Sequence, residues 1–237
     1  MRAMILAAGR GERMRPLTDT LPKPLIPVAG KPLIQWHIEK LAAAGITEIV
    51  INHAWLGARI EDTLQDGRQW GVNIRYSAET VALETAGGIA TALPLLGHAP
   101  FLVMNGDIWC DWDPLQAIQI GQHLTDSARQ AWLLLVPNPA HHPNGDFGLT
   151  ANGLVTDADN GASSNTTPIA LKHTFSGIGV YQPSLFAQTP AHQPAKLAPL
   201  LREAIAQARV AGQLHHGEWI DVGTPERLNT LECKLKQ

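Results

Sequence analysis

The chain has 237 residues, a formal net charge of −3 and two cysteines. This length can bury a substantial core and is usual for one α/β domain. The negative net charge argues against a general nucleic-acid-binding protein, because such proteins carry a basic face. Cys110 and Cys233 are too few and too unpatterned for a disulfide scaffold or a zinc cluster. We interpret them as free thiols, which favours a reducing compartment.

The sequence also argues against secretion and membrane insertion. The apolar run at the N-terminus is shorter than the core of a signal peptide, and Arg10, Arg13 and Arg15 follow it rather than precede it. No segment has the roughly twenty consecutive apolar residues of a membrane helix. We therefore predict a cytoplasmic protein with neither a membrane nor a nucleic acid as partner. The oligomeric state stays open.

Strands and helices alternate through the first half of the chain. Apolar residues at helical spacing predict helices over residues 33–44, 56–64, 85–93 and 114–124, and apolar or β-branched runs predict strands over residues 4–8, 46–52, 72–76, 101–104 and 132–136. This alternation is typical of an open, mostly parallel, Rossmann-like α/β sheet with helices on both faces.

The alternation ends near residue 137. Residues 137–168 are rich in Pro, Asn, Gly, Asp and Thr, which predicts short antiparallel hairpins rather than a second domain. A strand over residues 174–181 and an amphipathic helix over 195–208 follow. Residues 219–225 predict a strand and a tight turn, after which Thr224 caps the last helix and Pro225 occupies its first position.

The loop after the first strand has the composition of a phosphate-binding site. Gly9 and Gly11 allow the backbone to approach a ligand, although such a turn is equally often a plain connection. Arg13, Arg15 and Lys23 add three cations, as expected where several phosphate oxygens are neutralised. The spacing matches neither the dinucleotide-binding G-x-G-x-x-G nor the P-loop, so those two mechanisms are not supported.

The longer pattern is more specific. Residues 6–18 have the form Leu-Ala-Ala-Gly-x-Gly-x-Arg-Met-x-Pro-Leu-Thr, and Pro-Lys-Pro-Leu follows at residues 22–25. Together they closely resemble the signature of the sugar-1-phosphate nucleotidylyltransferases. The resemblance implies a single nucleotidyltransferase-type domain over residues 1–237, with a nucleotide half at 1–110 and a sugar half at 111–237. It also implies that a sugar 1-phosphate and a nucleoside triphosphate give an NDP-sugar and pyrophosphate.

Two aspartates at strand ends are candidate metal ligands. A lone aspartate at such a place is most often a turn residue, but Asp107 and Asp221 both accompany the phosphate loop, and Mg²⁺ prefers a few carboxylates together with phosphate oxygens. The resemblance implies that this pair holds the catalytic Mg²⁺. By the same matching of motifs, Arg13 contacts the β- and γ-phosphates, and Lys23 lies near the α-phosphate.

The resemblance also implies the positions that contact the two substrates. Nucleotide binding falls to Leu6, Ala7, Ala8, Gly9, Gly11, Arg13, Lys23, Glu79, Glu84, Gly87 and Asp107. Sugar binding falls to Asn105, Asp146, Gly148, Gly177 and Trp219. The resemblance favours UTP as the nucleotide. Glu79 could accept a hydrogen bond from uracil N3–H, although guanine N1–H would satisfy it equally. Glu84 stands where many relatives have glycine.

Several alternatives stay open. The Glu-Lys-Pro whose lysine binds the sugar phosphate in many relatives is missing between residues 155 and 168, and Lys172 or Lys196 could replace it. Mannose with GTP, or glucose with UTP or dTTP, are alternative substrate pairs. A non-catalytic nucleotide-sensing module is disfavoured, because the motif cations and both aspartates are present. We expect most histidines to lie on the surface, whereas His53 could line the cleft.

Overall fold

The computed structural model describes residues 1–157 and 171–236. Within them the strands are β1 (Arg2–Leu6), β2 (Pro27–Val28), β3 (Lys31–Pro32), β4 (Glu48–His53), β5 (Asn73–Ala78), β6 (Phe101–Asn105), β7 (Ile108–Cys110), β8 (Ala131–Val136), β9 (Phe147–Leu149), β10 (Val155–Thr156), β11 (Lys172–Tyr181), β12 (Val210–Leu214) and β13 (Trp219–Asp221). The α-helices are α1 (Leu17–Thr20), α2 (Leu33–Ala43), α3 (Gly57–Leu64), α4 (Glu84–Leu96), α5 (Gln116–Thr125), α6 (Leu197–Ala206) and α7 (Pro225–Leu235).

One mixed sheet of nine strands forms the centre of the described chain. Strand β1 lies between β4 and β6 and is parallel to both, and β5 continues the parallel part beyond β4. Strand β11 is antiparallel to its neighbours β6 and β8, whereas β12 is parallel to β8. Strands β9 and β10 extend the sheet beyond β11 as a small antiparallel pair. The predicted open, mostly parallel α/β sheet is confirmed.

Side chains alternate between two cores, one on each face of the sheet. In β1, Ala3 and Ile5 pack into the core that also contains Ile38 of α2 and Ile60 of α3. Met4 points to the opposite face, into the core that contains helices α4 and α6. Successive residues of a central strand therefore face opposite cores and are buried, which is why these strands are almost wholly apolar. Helices cover both faces, as the alternation of elements predicts.

The strand order of the sheet reverses between β1 and β6. The chain passes from β1 to β4 and β5 on one side and then returns to β6 on the other side of β1. Ligands bind at the carboxyl ends of strands at such a switch point, because the loops there diverge and leave a crevice. The loops after Leu6 and Asn105 border this crevice.

A separate two-stranded sheet brings the two predicted metal ligands together. Strand β13 pairs antiparallel with β7, so that Asp221 lies opposite Ile108, and the Val222 amide donates to the Asp107 carbonyl at 2.9 Å. The two strands have only three residues each, which gives no alternation that a sequence pattern could reveal. The structure thereby joins residues that are more than a hundred positions apart.

The elements after residue 137 agree less well with the sequence prediction. Helix α6 ends at Ala206 rather than at residue 208, because Ala208 adopts a left-handed conformation at φ 54° and the chain turns into β12, a strand that the prediction missed. The predicted hairpins include β9 and β10, and their part over 158–168 lies outside the described residues. The N-cap is confirmed, since the Thr224 hydroxyl accepts from the Arg227 amide. No helix within residues 1–157 and 171–236 is long and apolar enough to cross a membrane.

Candidate active site

A cavity of about 380 Å³ occupies the crevice at the switch point. It is lined by the ends of β1 and β6, the turn at Lys23 and the start of α4. The lining residues are Leu6, Ala7, Ala8, Gly9, Lys23, Pro24, Asn52, Ala82, Glu84, Thr85, Asn105, Gly106 and Asp107. Seven of the residues predicted to bind the nucleotide are therefore in one place: Leu6, Ala7, Ala8, Gly9, Lys23, Glu84 and Asp107. We name this space the nucleotide-side cavity.

A buried chain of hydrogen bonds lies at the wall of the nucleotide-side cavity. The Ala7 amide leaves the sheet and donates to Asn52 Oδ1 at 3.0 Å, which explains why β1 ends at Leu6 rather than at Ala8. Asn52 Nδ2 donates to Glu79 Oε1 at 2.7 Å, and the Leu83 amide donates to Glu79 Oε2 at 2.9 Å. Both oxygens of Glu79 thus have partners inside the protein. Asn52, which the sequence prediction missed, lines the cavity, whereas Glu79 does not.

The glycine pair in α4 approaches parts of the same chain. A Cβ atom on Gly87 would lie 2.2 Å from the Gln193 carbonyl oxygen, and the Gly87 amide donates to the Ala195 carbonyl at 3.1 Å. A Cβ atom on Gly88 would meet Glu79 at 2.8 Å. Glycine is therefore needed here for internal packing. Neither Glu79 nor Gly87 is among the lining residues, and their contacts with the base stay a prediction.

The phosphate loop is organised by its own side chains. Gly11 has φ 70°, and a Cβ atom there would lie 2.9 Å from Thr18 Cγ2, so this glycine is required by the turn itself. Arg10 donates to the Thr18 carbonyl at 2.7 Å and stacks on Trp55 at 3.7 Å. Arg15 pairs with Asp19 at 2.9 Å on the surface. Of the three predicted phosphate cations, Arg15 is therefore committed to a surface ion pair.

Lys23 and Asp107 form the charged end of the nucleotide-side cavity. Lys23 is buried, and its Nζ lies 2.6 Å from Asp107 Oδ2. A lysine is rarely buried unless it is paired, and Asp107 compensates the charge of Lys23. A phosphate group that enters the cleft would meet an ammonium donor already in position.

Asp221 lies beside a second group of cations. Arg227 Nη1 is 2.9 Å from Asp221 Oδ2 and 2.6 Å from His141 Nε2, and His141 Nε2 is 3.5 Å from the same Asp221 oxygen. A Cβ atom on Gly223 would lie 2.9 Å from Asp221 Oδ1 and 3.1 Å from Arg13 Nη2, so Arg13 and Asp221 flank this glycine. His141 lies on the surface, with its side chain 43% exposed, and β13 brings a carboxylate to it.

The two aspartates have the chemistry of a Mg²⁺ site. Lys23 occupies one oxygen of Asp107 and Arg227 occupies one oxygen of Asp221. Within the part of the chain that the structure describes, the other oxygen of each carboxylate accepts no hydrogen bond. Two carboxylate oxygens, one directly before β7 and one at the end of its partner β13, are suitable ligands for Mg²⁺, which completes its shell with water and phosphate oxygens. The residues therefore fit the ion that the resemblance implies.

A second cavity of about 330 Å³ continues the cleft. It shares Glu84, Thr85 and Asn105 with the nucleotide-side cavity, and its remaining lining residues are Asp146, Phe147, Phe175, Lys196, Leu197, Ala198, Leu201 and Arg202. We name it the sugar-side cavity. Predicted sugar residues Asn105 and Asp146 line it directly.

The other three predicted sugar residues make contacts within the protein. Gly177 has φ 83°, and a Cβ atom there would lie 2.6 Å from Asn105 Nδ2, so it leaves room for the Asn105 side chain. Trp219 packs against the core and donates to the Ser176 carbonyl at 2.9 Å. Gly148 pairs with β10 and β11 inside the sheet. These three residues do not line the sugar-side cavity.

Asp146 is fixed by two contacts. Its Oδ1 lies 3.1 Å from His142 Nε2, and its Oδ2 accepts from the Phe175 amide at 2.8 Å. His53 is buried, contacts Glu61 at 2.7 Å and is not among the residues that line either cavity.

A Cys/Asp/His cluster lies at the end of β7, outside both cavities. Ligand atoms of Cys110, Asp111 and His215 lie within 4.8 Å of one another, and His215 contacts Asp111 at 2.6 Å. Burial raises the pKa of the Cys110 thiol to about 11, so this thiol is protonated at neutral pH. A protonated thiol is a poor metal ligand, because the thiolate is the form that binds.

The chain belongs to the nucleotidyl transferase family, whose model matches residues 2–237. It is 57% identical to the N-acetylmuramate alpha-1-phosphate uridylyltransferase of Neisseria meningitidis serogroup B, over 98% of this chain and 97% of that protein. It is 35% identical to the enzyme of the same name from Caulobacter vibrioides, over 99% and 97% of the two chains. A mannose-1-phosphate guanyltransferase of Aspergillus fumigatus is 31% identical, over 98% of this chain and 64% of its own length.

Solved structures show the same fold. A Bacillus anthracis protein described as a glucose-1-phosphate thymidylyltransferase matches with a TM-score of 0.81 and 21% identity, over 100% of this chain and 96% of that one. An apo-UDP-glucose pyrophosphorylase matches with a TM-score of 0.73 and 20% identity, over 100% and 98%. At these identities the likeness concerns the fold alone.

Proposed function

We propose that this nucleotidyltransferase joins N-acetylmuramate 1-phosphate to UTP and releases UDP-N-acetylmuramate and pyrophosphate. The observation that carries the proposal is a cleft of two joined cavities, one bordered by the phosphate loop and the other by polar groups suited to a sugar. The relatives of 57% and 35% identity over nearly the whole chain support this substrate pair. In this proposal residues 1–110 hold the nucleotide and residues 111–237 hold the sugar, and Glu84 and Asn105 border both spaces.

Individual segments support the same choice of substrate. Residues 51–56, 83–88, 145–147, 174–178 and 196–200 resemble N-acetylmuramate-1-phosphate uridylyltransferase, and the resemblance implies a role in the recycling of cell-wall sugars. The missing Glu-Lys-Pro argues against the longer glucose and acetylglucosamine enzymes. A cytoplasmic location stays a prediction.

The proposed reaction is an in-line displacement. One phosphate oxygen of the sugar 1-phosphate attacks the α-phosphorus of UTP, and the bond from that phosphorus to the pyrophosphate oxygen breaks. The nucleophile is already an anion, so no side chain has to remove a proton. The protein must instead align two anions and reduce their repulsion. Lys23 in the cleft and Arg13 beside Asp221 supply positive charge for this purpose.

We also propose that the reaction depends on Mg²⁺, with Asp107 and Asp221 as its protein ligands. A bound Mg²⁺ would neutralise phosphate charge and orient the reacting groups. Lys23 and Arg227 hold the two carboxylates in place through one oxygen each. His141 contacts the same Asp221 oxygen and so supports its orientation.

A substrate panel tests the proposed function. N-acetylmuramate, N-acetylglucosamine, glucose and mannose 1-phosphates are each combined with UTP, GTP, CTP and dTTP in Mg²⁺, and pyrophosphate release is measured. We expect N-acetylmuramate 1-phosphate with UTP to give the highest kcat/KM. A preference for mannose 1-phosphate with GTP would support the guanylyltransferase alternative. No pyrophosphate with any pair would favour a sensing module.

A further inference from the structure

We propose that Lys196 and Arg202 bind the lactyl carboxylate of N-acetylmuramate and so distinguish this sugar from N-acetylglucosamine. The inference rests on the proposed function, because that function supplies the substrate. The two sugars differ at O3, where N-acetylmuramate carries a lactyl ether whose carboxylate is ionised at neutral pH. A site that selects N-acetylmuramate therefore has to offer positive charge at the sugar, in addition to the charge that serves the phosphate.

The position of the two cations agrees with this requirement. Lys196 and Arg202 line the sugar-side cavity and do not line the nucleotide-side cavity. Lys23 and Asp107 show the opposite distribution, since they line the nucleotide-side cavity alone. The cleft thus has two separate charged regions. A sugar 1-phosphate with its phosphate beside Lys23 would extend its ring toward the second region.

Arg202 is positioned by a buried carboxylate. Its Nε lies 3.2 Å from Asp157 Oδ2, and the Asp157 side chain is only 7% exposed, whereas that of Arg202 is 51% exposed. Within residues 1–157 and 171–236, neither Nη1 nor Nη2 of Arg202 donates a hydrogen bond, and half of the side chain is exposed. A guanidinium fixed through Nε can present its two remaining nitrogens to a carboxylate, an arrangement in which arginine forms its strongest pairs.

Lys196 adds a second charge at the start of α6. It is the N-cap residue of this helix, and it has no ion pair or hydrogen-bonded side-chain partner in the described residues. Asp146, a carboxylate that also lines this cavity, already has two partners, His142 and the Phe175 amide. A neutral sugar ring gives no reason for two cations at this wall. A carboxylate on the sugar gives one.

One alternative for Lys196 is that it binds the sugar phosphate, as a replacement for the lysine of the missing Glu-Lys-Pro. The two roles predict different losses. A lysine on the phosphate serves every sugar 1-phosphate equally, whereas a lysine on the lactyl group serves only N-acetylmuramate. The comparison of two sugars that differ only in the lactyl group therefore decides between them.

The test measures kcat/KM with UTP for N-acetylmuramate 1-phosphate and N-acetylglucosamine 1-phosphate, using the wild type, Lys196→Met and Arg202→Met. Each substitution should lower kcat/KM for N-acetylmuramate 1-phosphate by about tenfold to a hundredfold, mainly through KM, because one charge-assisted hydrogen bond is lost. For N-acetylglucosamine 1-phosphate and for UTP, the KM should stay within about twofold, which is within the usual variation of surface substitutions. If turnover of the acetylglucosamine compound is too slow, calorimetric Kd values replace kcat/KM.

Lys236→Met and Arg68→Met are matched controls, because their side chains are 64% and 88% exposed and lie outside both cavities. Arg202→Lys keeps a charge and should recover part of the preference. If Arg202→Met does not fold, Lys196→Met and Arg202→Lys still provide the test. Equal losses with both sugars, or no loss with either, would overturn the inference. A wild type that rejects N-acetylmuramate 1-phosphate would instead contradict the proposed function.

Discussion

Each of the two aspartates predicted to bind the metal is paired with a cation. Lys23 pairs with Asp107 at 2.6 Å, and Arg227 pairs with Asp221 at 2.9 Å. Each pair compensates charges that would be costly to keep unpaired in a partly closed cleft. Each pair also leaves one carboxylate oxygen for a metal ion. The same contacts that compensate these charges hold the two carboxylates in the position that the proposed Mg²⁺ site requires.

Removal of one carboxylate charge tests this interpretation. Asp107→Asn and Asp221→Asn keep the side-chain size but weaken Mg²⁺ binding, and we expect each to reduce kcat by at least about two orders of magnitude, the scale of one lost electrostatic stabiliser. The measurement is turnover of the best substrate pair over a Mg²⁺ titration. Asp111→Asn is the matched control, since Asp111 contacts His215 outside both cavities. Near-normal rates at saturating Mg²⁺ would remove the two aspartates from the metal site.

At the scale of an element, the phosphate loop contains two glycines with different tasks. Gly11 has φ 70° and faces Thr18, so the turn itself requires it. Gly9 has no positive φ, and a Cβ atom there would have no neighbour within 4 Å. The space beside Gly9 belongs to the nucleotide-side cavity. We therefore infer that Gly9 leaves space for the ligand, whereas Gly11 allows the backbone conformation of the turn.

Two alanine substitutions separate these tasks. Gly9→Ala should leave the melting temperature unchanged and raise the KM for UTP, because the added methyl group occupies ligand space only. Gly11→Ala should lower stability by about 1 to 2 kcal/mol, because alanine is strained at positive φ and collides with Thr18. Thermal unfolding and steady-state kinetics of both variants give the comparison. A destabilised Gly9→Ala variant with an unchanged KM would contradict the assignment.

The elements of the sheet could be predicted from sequence better than the contacts around the site. Apolar runs identified the central strands, and the strand ends identified Asp107 and Asp221 as candidates. Strand β12 was missed because it has glycine in the middle and follows a helix without a clear stop signal. The partners of Glu79 were missed, because they depend on how β4, which carries Asn52, packs against the segment before α4, which carries Leu83. Such contacts have no local sequence pattern.

At the scale of the whole molecule, the core contains a histidine whose protonation links the stability of the fold to pH. His37 of α2 is 2% exposed, and burial lowers its pKa to about 4, against the opposing effects of a hydrogen bond to the Ile108 backbone and of the Asp107 charge. Its Nε2 atom has no hydrogen-bond partner in the described residues. His37 is therefore neutral in the folded protein at pH values where the unfolded chain already binds a proton.

This difference predicts acid sensitivity of the fold. Below pH 6.5 the unfolded state binds more protons at His37 than the folded state does, so the free energy of unfolding rises with pH in this range. The contribution is fully present above pH 6.5 and is lost as the pH falls toward 4. From pH 7 to pH 4.5 the loss from this one group is about 2 kcal/mol.

His37→Met should therefore lose about 2 kcal/mol less stability than the wild type between pH 7 and pH 4.5, because methionine has a similar size and does not titrate. The measurement is urea unfolding at several pH values, with the difference between the two pH values compared rather than the absolute stability. His98→Met, at an exposed position, is the control and should follow the wild-type profile. Parallel pH profiles for His37→Met and the wild type would show that acid destabilisation arises from other groups.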